Sequence, residues 1–284
     1  FIAAVWIDYR IWARLWKVIY IGLLGLLGAV LVAGSAFGGA RSSFDLKLFR
    51  VEPSEMAKVL LVIVLASYMS SHDMRQVRHL LITLGMTVVV MGLIFVEPNL
   101  GGALLLAPIW LVMAFVAGMR VWHAATLGLA AVAAIPISLR FLEGYQLDRI
   151  ITFLDPSSDA PGKGYNTIQA LIAIGSGGWT GQGYGQGLQS QLHYLRQPYT
   201  DYMFSVMAEE LGFVGVSLFI IVVTLLLLRL IRASSIATDD FGRLLAVGIA
   251  FNIFLQTALH ISVNLNLVPT TGERSAGSAT NGVA

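Results

Sequence analysis

Apolar residues run along this chain in blocks and not at alternate positions. Stretches of about 20 apolar residues, the length a helix needs to cross a bilayer core, fall at roughly 15–36, 53–71, 79–96, 100–118, 121–141, 203–231 and 244–268. A closed barrel would alternate apolar and polar residues over short segments, and these runs do not. The pattern predicts an all-α, polytopic transmembrane helical bundle, one membrane domain over 1–284. A long polar connection, 142–202, joins the last two runs to the rest. The chain opens on FIAAVWIDYR, which reads as the tail of a span, and closes on the polar GERSAGSATNGVA. Both ends are expected to be gaps or truncations.

Composition agrees. The chain is 57% hydrophobic and 12% charged, against about 25% charged in an average soluble domain; its mean hydropathy is +0.77. With no cysteine there are no disulfides and no thiolate metal sites. A net charge of +2 gives no reason to expect nucleic acid. The placement of charge says more. Arg10, Arg14, Lys17, Arg75, Arg78, Arg120, Arg229, Arg232 and Arg243 flank alternate span ends, which marks those ends as cytoplasmic. The loop 142–202 then lies outside, on the same side as 34–52 with Arg41, Lys47 and Arg50.

About sixty residues is long for a passive connection. The loop contains a semi-apolar segment, IQALIAIG, suited to the membrane interface, and many glycines. Those glycines spell neither a dinucleotide fingerprint nor a phosphate loop: GQGYGQG has the wrong spacing, and Gly162-Lys163 is followed by Gly. A glycine-rich surface loop and a functional loop both fit. Where the loop meets the next span, YTDYMFSVMAEELG places Asp201, Glu209 and Glu210 at its mouth.

Polar groups inside the spans add candidates. Glu55 and Lys58 follow Pro53 at i and i+3 spacing, on one helix face; they are either cavity-facing functional groups or a structural ion pair. Glu97 and Asn99 sit at a break between two spans, and Asn252, Gln256, His260 and Asn264 form an i+4 stripe expected to face the bundle interior. For His260, interhelical hydrogen bonding outweighs metal binding. The outer side thus gathers Arg50, Glu55, Lys58, Glu97, Asp201 and Glu209, a polar cavity suited to an amphiphile with a charged head and a lipid tail.

Five blocks in order, GGARSSFDL…FRVEPSEMAK, VEPNLGGALL, RIITFLDPSSDAPGKGYNTIQALIAIGSGGWTGQG, YTDYMFSVMAEELGFVG and LVPTTG, resemble the SEDS proteins (shape, elongation, division and sporulation) across nearly the whole chain. GLQSQLHYL before the Thr-Asp pair is similar to the rod-shape branch, RodA; FtsW, the division branch, is the close relative. The chain departs from the family pattern at Ser42 and Ser43, at Glu97-Pro98-Asn99, at Leu195-Arg196-Gln197 and at His260.

The resemblance implies a fold of about ten spans and a peptidoglycan glycosyltransferase that polymerises lipid II at the outer face of the bacterial cytoplasmic membrane during elongation and rod-shape maintenance. It implies a catalytic role for Asp201 and substrate contacts for Arg50, Glu55, Lys58, Gln146, Arg149 and Gln169. A divalent cation, Mg or Mn, could bridge acids and phosphates, though the sequence names no cage. The implied partners are lipid II, the growing glycan strand, a class B penicillin-binding protein and elongation-complex membrane proteins. The transpeptidase's single helix would need a lipid-facing surface, for which Ser217–Leu228 and the stretch around Gly248 and Ala250 are candidates. The rival readings are a lipid II flippase, a division polymerase and a scaffold for a transpeptidase.

Overall fold

The computed structural model describes residues 8–33, 35–37, 40–45, 50–51, 53–97, 99–139, 163–187 and 202–268. Apolar runs become helices because backbone N–H and C=O groups in hydrocarbon must be satisfied within the chain. The helices are α1 (Arg10–Arg14), α2 (Trp16–Ala33), α3 (Pro53–Ser71), α4 (Val77–Val96), α5 (Leu100–Val116), α6 (Val121–Leu139), α7 (Lys163–Ser176), α8 (Met203–Ile236) and α9 (Asp240–Asn264). Each expected span is met by one helix, α2 to α6, α8 and α9. By length and composition α3, α4, α8 and α9 can cross a membrane, and Trp16–Val32, Gly101–Val116 and Val121–Ala130 are shorter apolar stretches. The fold is a polytopic helical bundle. One local addition, for which hydropathy carries no signal, is a small antiparallel ribbon of β1 (Ser35–Phe37), β2 (Ala40–Asp45) and β3 (Arg50–Val51). Phe44 pairs with Val51 and Asp45 with Arg50 in its second ladder.

The described residues fall into two compact units. The first holds those up to Leu129 together with Leu230–Ile253. Its centre is α3, whose Ala57, Leu61, Val62, Val64, Leu65 and Ala66 are all buried. Gly248 on α9 lets that helix lie close: a Cβ there would sit 2.5 Å from Val62 Cγ1 and 2.8 Å from Met113 Sδ. Polar cross-links fix both ends of α3. At one end Ser67 Oγ donates to the Ala13 carbonyl at 2.7 Å, while Tyr9 donates to Asp239 and Arg243 to the Val116 carbonyl. That end collects Arg10, Arg14 and Arg243, a subset of the residues expected to face the cytoplasm. At the other end Asn99 donates to Ser54 Oγ at 3.2 Å and accepts from Gly102 N at 2.8 Å. Asn99 is therefore the N-cap of α5.

The second unit runs from Ala130 to Arg229 and from Phe254 onward. Here α8 is two helices meeting at Gly212, whose φ of 63° and ψ of −167° are non-helical. The break frees backbone groups, and the glycine-rich segment after α7 takes them up. Gln182 N donates to Glu209 O at 2.9 Å and Gly183 N to Glu210 O at 3.1 Å. In return Phe213 N donates to Gly178 O at 2.9 Å and Val214 N to Trp179 O at 3.1 Å. Backbones this close leave no room for a Cβ: one on Gly177 would lie 1.9 Å from Ala208 O, and one on Gly181 2.1 Å from Glu210 O. Trp179 packs edge-on against Phe213 across the join. At its far end α9 closes with Asn266 at φ 53°. Asn266 N donates to Val263 O and Leu267 N to Ser262 O, which is a Schellman termination.

Two of the segment's positive-φ glycines separate strain from crowding. Gly178 has φ +53° and open space around its Cβ position, whereas Gly181 has φ +78° and a carbonyl in the way. Gly178→Ala should cost about 1 kcal/mol, the expense of the left-handed backbone alone. Gly181→Ala should cost at least twice that and disorder the join. Thermal unfolding in detergent will rank them, and equal effects would refute the close approach.

Candidate active site

The first unit carries one group of the candidate residues, at the head of α3. Pro53 suits the first helical turn, where its missing N–H is not needed, and Glu55 and Lys58 follow on one face. Lys58 Nζ lies 2.7 Å from Glu55 Oε1. The two ends of the bridge have different surroundings, since the Lys58 side chain is 2% exposed and that of Glu55 51%. The ammonium is thus enclosed, and its carboxylate reaches the edge of the protein. Glu97, at the C-terminal end of α4, is fully buried, and Ser54 beside it in sequence to Glu55 is held by Asn99. Arg50 lies in β3 paired with Asp45; its side chain is outside the described set.

The second unit carries the rest. Gln169 is on α7, half-buried beside Thr167, Ala170 and Ala173, the helix's buried stripe. Ala170 packs with Tyr202 and Val206 of α8. This brings the helix of Gln169 against the residue that directly follows Asp201. Asp201 itself, Gln146 and Arg149 lie outside the described residues. Glu209 is fully buried, and its carbonyl belongs to the backbone join.

The polar stripe on α9 is uneven. Asn252 and Asn264 are buried, 6% and 1% exposed, Gln256 is half-buried, and His260 is exposed. His260 therefore departs from the expected inward orientation: position 260 has turned to the outer face of the helix. Asn264 does bond between helices, accepting from Ser205 N at 3.0 Å and Ser205 Oγ at 2.6 Å. Sequence reading missed two features, the join at Gly212 and the stacked Tyr68, His72 and His79 cluster at the basic end of α3. The glycine spacing was the only available signal for the first. Among the described residues no group of three or more His, Asp or Glu side chains could hold a metal ion.

The features place the chain in the class of multi-pass helical membrane proteins that carry buried charge in a helix long and apolar enough to cross a membrane. Comparison with known proteins makes this specific. The family model FtsW/RodA/SpoVE, described as cell cycle protein, matches residues 1–274. The chain belongs to this family, the SEDS proteins, whose relatives include peptidoglycan glycosyltransferases. It is 36% identical over 276 residues to a probable peptidoglycan glycosyltransferase FtsW of Trichlorobacter lovleyi, covering 94% of this chain and 71% of that one. It is 35% identical over 270 residues to the peptidoglycan glycosyltransferase MrdB of Escherichia coli K12, covering 93% and 71%. Among solved structures, a chain of a peptidoglycan synthase complex that coordinates polymerization and crosslinking superposes with a TM-score of 0.78 at 30% identity, over 94% of this chain and 75% of that one. The rod shape determining protein RodA of Thermus thermophilus gives 0.62 at 29% identity, over 91% and 69%.

The unequal exposure of the ion pair sets the order of its variants. Glu55→Gln leaves an enclosed ammonium without the carboxylate at 2.7 Å, whereas Lys58→Met leaves a carboxylate that water can reach. Losing one partner of a fully buried pair costs roughly 3–5 kcal/mol, and solvent at Glu55 reduces that here. Glu55→Gln should lower the unfolding temperature in detergent more than Lys58→Met, and the double variant should recover part of the loss. The reverse order would show that Lys58 is held by something other than Glu55.

Proposed function

We propose that this chain polymerises lipid II into glycan strands at the outer face of the bacterial cytoplasmic membrane. The observation that carries this reading is Lys58, a long cationic side chain 2% exposed inside a membrane-crossing helix and bridged to Glu55. Intramembrane charge is costly and marks substrate pathways. A buried ammonium beside an acid fits a substrate whose reactive end is a pyrophosphate.

In the proposed reaction the 4-hydroxyl of an acceptor N-acetylglucosamine attacks the anomeric carbon of a donor N-acetylmuramic acid. The carbon–oxygen bond to the pyrophosphate breaks with inversion, and undecaprenyl pyrophosphate leaves with the electron pair. The hydroxyl proton passes to Asp201 as general base. Arg50, Lys58 and Arg149 offset the charge developing on the leaving group, and Gln146, Gln169 and Glu55 orient the sugars and the cations. The pyrophosphate would bring its own Mg or Mn counter-ion.

The branch within the family is also a proposal. GLQSQLHYL favours the rod-shape role, and the near-equal identities to FtsW and MrdB relatives keep the division role as the second reading. Rescue of a rod-shape-depleted strain but not a division-depleted one would decide for the first. One feature speaks for a flippase: transporters use discontinuous helices, and α8 is discontinuous at Gly212. The backbone groups on either side of that break are bonded to the 177–183 segment, so they are not open to a cargo.

The transpeptidase partner fits one of its two expected surfaces. Leu218, Ile221, Val222, Leu225 and Leu228 on α8 are each more than half exposed, an apolar face suited to a single crossing helix. The stretch at Gly248 and Ala250 does not fit. Both are buried, and Gly248 is closed off by Val62 and Met113, so its small size serves packing within the first unit.

Asp201→Asn should reduce lipid II polymerisation by a purified complex about 100- to 10,000-fold, the usual range for a lost general base, with no change in unfolding temperature. Near wild-type synthesis would remove Asp201 from the mechanism. Val222→Trp should weaken co-purification of the transpeptidase and lower polymerisation, and Gly248→Leu should unfold the first unit instead. Partner loss without unfolding in Gly248→Leu would restore that face as an interface.

A further inference from the structure

We infer that Asn264 is a positioning residue for the start of α8, acting as an N-cap supplied by another helix. The inference rests on the reading of Asp201 as the base, because Asp201 precedes Ser205 by four residues.

The need for a cap is general, since the first N–H groups of a helix have no intrahelical acceptor. Usually a Ser, Thr, Asp or Asn just before the helix supplies one. The residue before α8 is Tyr202, whose phenol is too long and rigid to fold back on the first turn. Ser205, the third residue of α8, is fully buried, so water cannot substitute. Asn264 Oδ1 takes both of its donors, the N–H at 3.0 Å and the hydroxyl at 2.6 Å. The acceptor is itself fixed. Asn264 is 1% exposed, its Nδ2 donates to the His260 carbonyl at 2.8 Å, and the Schellman turn at Asn266 follows directly.

An amide pinned on three sides therefore clamps the first turn of α8 to the last turn of α9. Tyr202 is seated independently by Ala170 on α7. The first turn of α8, which begins two residues after Asp201 in sequence, is thus held by two neighbouring helices. The break at Gly212 separates this short helical piece from the membrane-crossing remainder, so the clamp controls the catalytic end without having to move the span.

The test uses the full chain with its transpeptidase in detergent and measures lipid II polymerisation at varied substrate, alongside amide hydrogen exchange. Asn264→Ala should speed exchange of the amides of residues 203–206 at least tenfold and lower kcat by ten- to a hundredfold, with KM within twofold of wild type. Asn264→Asp keeps the acceptor and should recover a large part of kcat. Ser205→Ala keeps the N–H bond and should lose less than Asn264→Ala. Unchanged exchange, or a fall in apparent kcat that is fully accounted for by the fraction of unfolded protein, overturns the positioning role. Asp201→Asn run alongside separates the two claims. If it stays active, the base assignment is lost and the positioning role with it. If it is inactive while Asn264→Ala turns over normally, only the positioning role is lost.

Discussion

Hydrocarbon offers no hydrogen bonds, so any interruption of a spanning helix must be filled by protein. In the second unit this constraint organises the glycine-rich segment after α7. The turn at Gly212 opens α8, and only a backbone lacking side chains can come close enough to replace the missing bonds. That explains the glycines at 177 and 181, which face the α8 backbone. Neither admits a Cβ, and Gly178 supplies a left-handed turn. The join fixes the C-terminal end of the helical piece 203–211, where the Glu209 and Glu210 carbonyls accept from Gln182 and Gly183.

The first unit meets the same constraint by a different route. Its helices are continuous, and their polar cross-links sit near the ends of α3, where Ser54 meets Asn99 and Ser67 meets Ala13. Between them lies a tightly closed apolar core. Lys58 is the exception, one turn inside the head of α3, and its charge is tolerable because Glu55 stands at the edge where solvent and lipid headgroups can stabilise the carboxylate. The pair thus links an enclosed ammonium to an exposed carboxylate.

Much of the fold was legible because hydropathy records burial in lipid directly: every apolar run became a helix. The i and i+3 spacing of Glu55 and Lys58 also foretold their contact, since it follows from helix geometry alone. The inward stripe on α9 was only half legible. Asn264 and Asn252 are buried, but His260 faces out, because hydropathy cannot say which polar member of a stripe the packing will accept. The break at Gly212 was not legible, for it depends on a partner segment some thirty residues earlier in the sequence. Gly248 was misread for a similar reason, as smallness marks close approach without naming the neighbour.

The join between 177–183 and 208–214 has a consequence for how the protein is made. During synthesis the glycine segment emerges first and its amides must stay hydrated until α8 arrives. A ribosome feeding α8 into the bilayer would deliver it as a continuous apolar helix. The bend at Gly212 and the docking of the segment are then one event, late and after insertion. The start of α8 then takes its final geometry only after the span that supports it lies in the membrane.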